Sequence, residues 1–178
     1  MGKVKFPFDE LRKFHANAVK ELDLLGDAVK KLEKTRDMYD FEASFKRFFN
    51  FCGKQLPVHV DDEEHALFPM ISIYMPDDAE SSESIMELLT DHKDVFAAME
   101  VIKLMKRLIG GEKRADKKFI DEIINRTKYI RNILEEHFDK EDETVYAMAE
   151  DAFTGSQVSE LADRMSGIRE RHAKIRVR

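Results

Sequence analysis

The sequence predicts an all-α fold: an up-down-up-down antiparallel four-helix bundle with a short fifth helix at its C-terminal end. Three observations lead there. Breakers are few, with seven Gly and four Pro in 178 residues. They gather at four places: Asp37 to Asp40, Pro76 to Ser84, Gly110 to Asp116 and Thr154 to Ser156. Between them, apolar residues recur at spacings of three and four, the helical period, and long amphipathic helices joined by short turns pack as antiparallel neighbours.

The first helix is expected from about Phe8 to Arg36, with Pro7 in its first turn, where a missing N–H costs nothing. Its apolar stripe reads Leu11, His15, Ala18, Leu22, Leu25, Val29, Leu32. The second is expected to follow an N-cap at Asp40, to kink at Pro57 and to end near Phe68, with a stripe of Phe45, Phe48, Cys52, Leu56, His59, Glu63, Leu67. Ser84 and Glu87, spaced as a capping box, open the third, which carries Ile85, Leu88, His92, Val95, Met99, Ile102 and stops at Gly110-Gly111. Asp116 caps the fourth, which reaches about Glu150 through Ile120, Ile123, Thr127, Ile130, Leu134, His137, Glu141, Val145, Met148. Thr154 and Gln157 form a second capping box ahead of the fifth helix. The expected organisation is one domain over residues 1–178, the bundle at about 8–150 and the last helix at about 156–175.

Thirty Lys and Arg against thirty-six Asp and Glu leave a net charge of −6, which offers no positive field for nucleic acid or an anionic membrane surface. No apolar run approaches the ~20 residues that span a bilayer. The one cysteine, Cys52, cannot form an internal disulfide, so a reducing cytoplasm is the expected location.

Four histidines and two glutamates occupy stripe positions where apolar residues would otherwise pack. A carboxylate moved into a bundle interior must be neutralised, paired or bound to a metal, and no stripe supplies a Lys or Arg. With turns centred at Met38, Pro76 and Lys113, His15 and His59 lie 23 and 21 residues from the first turn and His59 and His92 lie 17 and 16 from the second. His92 and His137 lie 21 and 24 from the third. These mismatches amount to about 1.5 to 4.5 Å along the axis, so all four histidines fall in one layer. Glu63 follows His59 by four residues and Glu141 follows His137 by four, which puts each pair on one helix face. Such a set exceeds the needs of one tetrahedral zinc and suits two iron or manganese ions, with carboxylates bridging them and positions left open. The competing reading is a polar layer that sets helix register without metal.

At these residues the chain resembles the hemerythrin-like family, the HHE cation-binding domain. The most specific segment is His59-Val-Asp-Asp-Glu63-Glu64-His65-Ala-Leu-Phe68-Pro69, followed by His137-Phe-Asp-Lys-Glu141-Asp-Glu-Thr-Val-Tyr146, with His15 and His92 matching the family's single histidines. The resemblance implies a non-haem di-iron centre with an oxo or hydroxo bridge, held by His15, His59, Glu63, His92, His137 and Glu141. It departs from the oxygen carriers, which place two histidines four apart on the third helix; here Leu88 and Phe96 stand four from His92. The four-His, two-Glu set is more similar to branches associated with nitrosative stress, repair of iron–sulfur centres and iron or oxygen sensing.

The expected function is therefore reaction with a small diatomic or peroxide, or alternatively sensing, in which metal orders the bundle and a partner reads the change. The sequence is silent on an electron donor, on any protein partner and on the oligomeric state. His65, two residues past Glu63, is expected at the surface, and His172 in a solvated basic tail. Cys52 is expected to be buried and inert, and Glu64 either to orient Glu63 or to face water. Tyr129 and Tyr146 are candidate hydrogen-bonding groups near the site, and Phe14, Phe96, Met99 and Phe138 candidate walls of an apolar route for a gas.

Overall fold

The computed structural model describes residues 7–109 and 116–176, and among them every regular element is helical. Five helices account for the fold. The first, α1, is Pro7–Thr35. The second, α2, spans residues 38–74 as an α segment Met38–Asp62, a π turn Glu63–Leu67 and a final α segment Phe68–Tyr74. The third, α3, is Ala79–Ile109. The fourth, α4, spans 117–152 as Lys117–Lys140, a π turn Glu141–Val145 and Tyr146–Ala152, and α5 is Gly155–Arg176.

The ends follow from local chemistry. Arg36 closes α1 in the left-handed region with φ 57, its N–H returning to the Leu32 carbonyl at 2.9 Å, a C-terminal cap that lets α2 start at once. The second helix therefore begins at Met38, and Asp40 lies inside it rather than capping it. It also runs past Phe68, because the π turn sets Pro69 in the first turn of a fresh α segment, where its missing N–H is no loss. The third helix starts before the Ser84/Glu87 box: Ser82 donates both its N–H and its hydroxyl to the Asp78 carbonyl, at 3.2 and 3.1 Å, and Ser84 is buried within the helix. Asp116 does cap α4, accepting from the Lys118 N–H at 3.3 Å. Thr154 and Gln157 close their capping box, with Thr154 N–H donating to Gln157 Oε1 at 2.7 Å. The Gly110-Gly111 stop and the turn centre at Lys113 lie outside the described residues.

Helix α1 packs against α2 and α4, α3 packs against α4, and α5 lies on α1 and α2. Ion pairs mark these seams: Arg47 with Glu21, both arms at 2.7 Å; Arg12 with Glu150, both at 2.7 Å; Lys128 with Glu33 at 2.6 Å. The Arg131 guanidinium crosses α1 to reach Asp23 at 3.1 Å through the space a side chain at Gly26 would fill.

The apolar interior has two parts. One holds Ala18, Leu22, Leu56, Val60, Val95, Leu134 and Phe138 with the residues towards the first turn. The other holds Phe8, Leu11, Ala66, Leu67, Leu88, Val145 and Tyr146, and is completed by Leu161, Met165 and Ile168 of α5. On each of α1 to α4 the boundary between the two falls at the buried polar residues: His15, His59 with Glu63, His92, and His137 with Glu141. No helix among the described residues is long and apolar enough to cross a membrane.

Candidate metal centre

All six residues singled out in the sequence meet in this layer. The two glutamates have no solvent exposure and the four histidines are 2 to 5% exposed. His15 and His59 face each other across α1 and α2 with their Nε2 atoms 3.0 Å apart, and His92 and His137 do the same across α3 and α4 at 3.1 Å. The two carboxylates lie between these pairs. Glu141 reaches His15 through Oε2 and His137 through Oε1, both at 3.1 Å, while Glu63 reaches His59 through Oε1 at 3.3 Å and His92 through Oε2 at 3.5 Å. Two groups of ligand atoms result, each within 4.8 Å: His15, His59, Glu63, Glu141, and Glu63, His92, His137, Glu141. Both glutamates belong to both groups.

The π turns begin at those two glutamates. Phe68 N–H bonds to the Glu63 carbonyl and Tyr146 N–H to the Glu141 carbonyl, each five residues back. A π turn adds a residue to one turn and rotates everything after it. His and Glu four apart thus share the face that looks into the layer, and the following turn presents different residues inward. On α4 these are Tyr146 and Ala149 rather than Met148, which is only half buried.

Carboxylates outside the layer orient three of the imidazoles through Nδ1: Asp142 for His15 at 3.1 Å, Glu64 for His92 at 2.8 Å and Asp91 for His137 at 3.3 Å. This leaves Nε2 of each turned inward, the arrangement that prepares histidine as a metal ligand. The fourth, His59, stacks on Phe14 with ring centres 4.0 Å apart.

The charges follow from these contacts. Burial lowers the pKa of His15, but the hydrogen bond to Asp142 and the nearby carboxylates of Glu141 and Glu63 more than offset it, raising it to about 9. His92 is raised to about 9 against the same burial by Glu63 and Glu64. For His59 burial dominates, and with the neighbouring imidazoles it brings the ring down to about 3 despite Glu63. Burial opposes ionisation of Glu141, yet His137 and His15 hold its carboxyl below the usual range. Glu63 Oε2 and both oxygens of Glu141 accept no hydrogen bond among the described residues. Fully buried carboxylate oxygens without donors, facing imidazole nitrogens, fit a cation as their common partner. The clusters fit a four-His, two-Glu site.

Other candidates divide. Tyr146 is in the site: its hydroxyl donates to Glu63 and stands 3.4 Å from His15 Nε2. Tyr129 is not; it is 46% exposed and reaches Asp94. Glu64 orients His92 rather than Glu63. His65 is exposed and pairs with Asp61 at 3.7 Å. His172 does more than end a tail, since its Nε2 lies 2.6 Å from Asp61 and helps seat α5 on α2. Beside it, Arg169 Nε donates to the buried Asp62 at 2.9 Å and the same guanidinium pairs with Glu10. Phe14 and Phe138 stack on His59 and His15, Phe96 lies by His92 and His137, and Met99 belongs to the core away from α5. Cys52 is buried and free. The orienting roles of Asp91 and Asp142 were not read from the sequence, although Asp142 follows Glu141 as Glu64 follows Glu63.

No curated protein matches the chain. The family model for the hemerythrin HHE cation-binding domain does match, over residues 7–149, which takes in α1 to α4 up to Ala149 and all six clustered residues. The chain belongs to the hemerythrin HHE cation-binding domain family.

Proposed function

We propose that the chain is a single hemerythrin-like domain that holds two non-haem irons and reacts with a small ligand, O₂, NO or peroxide, in defence against oxidative or nitrosative stress or in repair of iron centres, in a reducing cytoplasm. The observation that carries this reading is the sharing of Glu63 and Glu141 between two otherwise separate imidazole pairs. His15 and His59 would hold one iron, His92 and His137 the other, and the two glutamates would bridge them. Bridging carboxylates offset the repulsion of two cations, and imidazole with carboxylate suits iron or manganese. The family supports iron.

The protein's own contribution is positional. Asp142, Glu64 and Asp91 fix three imidazole orientations, Tyr146 steadies Glu63, and apolar residues above and below the layer keep water out. Ferrous iron, when bound, supplies electrons to the small ligand. An up-down-up-down antiparallel arrangement is part of the reading. It is supported by pairs that run in opposite order along α1 and α4, Arg12 to Glu150, Asp23 to Arg131 and Glu33 to Lys128.

A second reading, sensing, is favoured by one specific contact. Asp62 precedes Glu63 and is held by Arg169 of α5, so a change at the metal layer has a covalent neighbour tied to the last helix. The test common to both is metal identity and stoichiometry by mass spectrometry on protein purified without added metal. About two irons per chain are expected. Zinc or manganese would discard the redox chemistry, and a stable protein without metal would leave only a register-setting layer.

A further inference from the structure

One edge of the metal layer borders a cleft open to solvent. It lies between α1, α2 and α5 and measures about 340 Å³, within the range of small-molecule sites, roughly 300 to 1,000 Å³. Its inner border holds His59, one of the six clustered residues, and Phe14, stacked on that imidazole with ring centres 4.0 Å apart. Its outer border carries the exposed Lys13 and Lys54 together with the amides of Asn17 and Gln55. The remaining charges are paired: Arg169 donates to Asp62 at 2.9 Å and bonds to Glu10. Three cations thus stand against two carboxylates, and the cleft is positive in a chain whose net charge is −6. A second surface cleft, between α3 and α4, has the opposite sign, with Glu83, Glu87, Asp91 and Glu136 against Lys140.

We propose that the cleft at His59 receives a small hydroxylated organic anion of the enediol class, which re-reduces the metal centre through that imidazole. The inference rests on the di-iron reading, in which ferrous iron gives electrons to the small ligand and is left ferric. Lys13 and Lys54 draw the anion in, and the amides of Asn17 and Gln55, which both donate and accept, suit its hydroxyls. The acidic cleft across the molecule repels the same donor. A donor seated against Phe14 and His59 touches an imidazole assigned to one iron, so the electron has a single ring to cross. The step balances. The enediol monoanion gives one electron to a ferric ion at His15 and His59 and its hydroxyl proton to water, and leaves as a radical anion; a second donor molecule supplies the electron for the other iron.

The test uses the full chain with two ferric irons, reduced anaerobically by ascorbate and followed by absorption. The rate is expected to saturate with ascorbate concentration. Lys13→Glu with Lys54→Glu, in protein retaining two irons and wild-type helix content, is expected to raise the half-saturating concentration at least about tenfold and to leave the limiting rate unchanged. Lys117→Glu with Lys118→Glu makes the same change of net charge at the start of α4, far along the bundle from His59, and is expected to leave both constants as in the wild type. A rate linear in ascorbate without saturation overturns the proposal. So does a double variant at 13 and 54 with unchanged half-saturation, or one at 117 and 118 that is affected equally. A wild-type chain that takes up no iron overturns the di-iron reading and the proposal with it, and the metal count separates that result from a failure of the cleft alone.

Discussion

Tyr146 donates its phenol hydroxyl to Glu63, tying α4 to the carboxylate that α2 contributes. The ring is fully buried, and burial together with Glu141 and Glu63 holds the phenol well above the ordinary tyrosine range, so it stays a neutral donor. Tyr146→Phe removes the donor and strands a buried carboxylate oxygen. A loss of about 1 to 3 kcal/mol is expected, read by urea unfolding of the metal-free protein. A midpoint equal to wild type would mean that Glu63 does not depend on the phenol.

Because both ligand groups contain Glu141 and only one contains His15, their substitutions differ in reach. Glu141→Ala is expected to cost at least one iron together with the absorption of the bridged pair. His15→Ala is expected to leave the group of His92, His137 and both glutamates intact and to retain about one metal per chain. An alanine at 141 with two irons and an unaltered spectrum would remove Glu141 from the ligand set.

Metal removal should weaken the fold, since it leaves two carboxylates and four imidazoles facing one another without a cation. A ligand held at a thousand times its Kd stabilises the native state by about 4 kcal/mol. The measurement is the thermal midpoint before and after chelation under reducing conditions. A midpoint unmoved by chelation would favour a layer that only sets register.

Cys52 sits on the α2 stripe, 3% exposed, and burial with the charge of Glu21 raises its thiol above the ordinary 9.0. The native protein should resist thiol reagents at pH 8 and react only once unfolded. The unfolded chain ionises as pH passes 9.0 and the native one does not, so this residue lowers stability progressively above that pH. Rapid labelling of the folded protein would contradict the burial.

Arg169 joins α5 to the rest of the molecule through Asp62 and Glu10. Asp62 is 1% exposed and its other oxygen accepts nothing among the described residues, so Arg169→Ala is expected to cost about 1 to 3 kcal/mol and to speed proteolysis around Phe153 to Gln157. Unchanged digestion kinetics would show that the apolar contacts of Leu161, Met165 and Ile168 seat α5 unaided.

Most of the site was legible because its residues violate a strong pattern. His15, His59, His92 and His137 sit where apolar side chains belong, and an error of two or three residues in a turn centre displaces a helix level by only a few ångströms. Helix ends were less legible. Asp40 and Ser84 are good caps by type, but the left-handed Arg36 and the Ser82–Asp78 bonds started those helices earlier. The π turns were hidden for a different reason. One extra residue leaves hydrophobic periodicity nearly unchanged on either side, and the main clue on α2 is Pro69, whose ring would clash with the His65 carbonyl in an uninterrupted α-helix. Missing the turns put Met148 on the inner face instead of Tyr146 and Ala149. Asp91, Asp142 and Glu64 looked like ordinary solvated charges because a carboxylate at a helix edge reads the same whether it faces water or an imidazole nitrogen.

The division of the apolar interior has a consequence for cooperativity. The two cores border each other at a band of charge, and α5 belongs to only one of them. A polar seam transmits little melting free energy unless something binds it from both sides. With a cation pair clasped by all four helices, the halves should open together and amide exchange should report a single slow class. With the seam empty, the end built from Phe8, Tyr146 and α5 and the end built from Phe48 and Ile123 become separate exchange units. The protein's unity as one folding body is then set by metal supply as well as by its own packing.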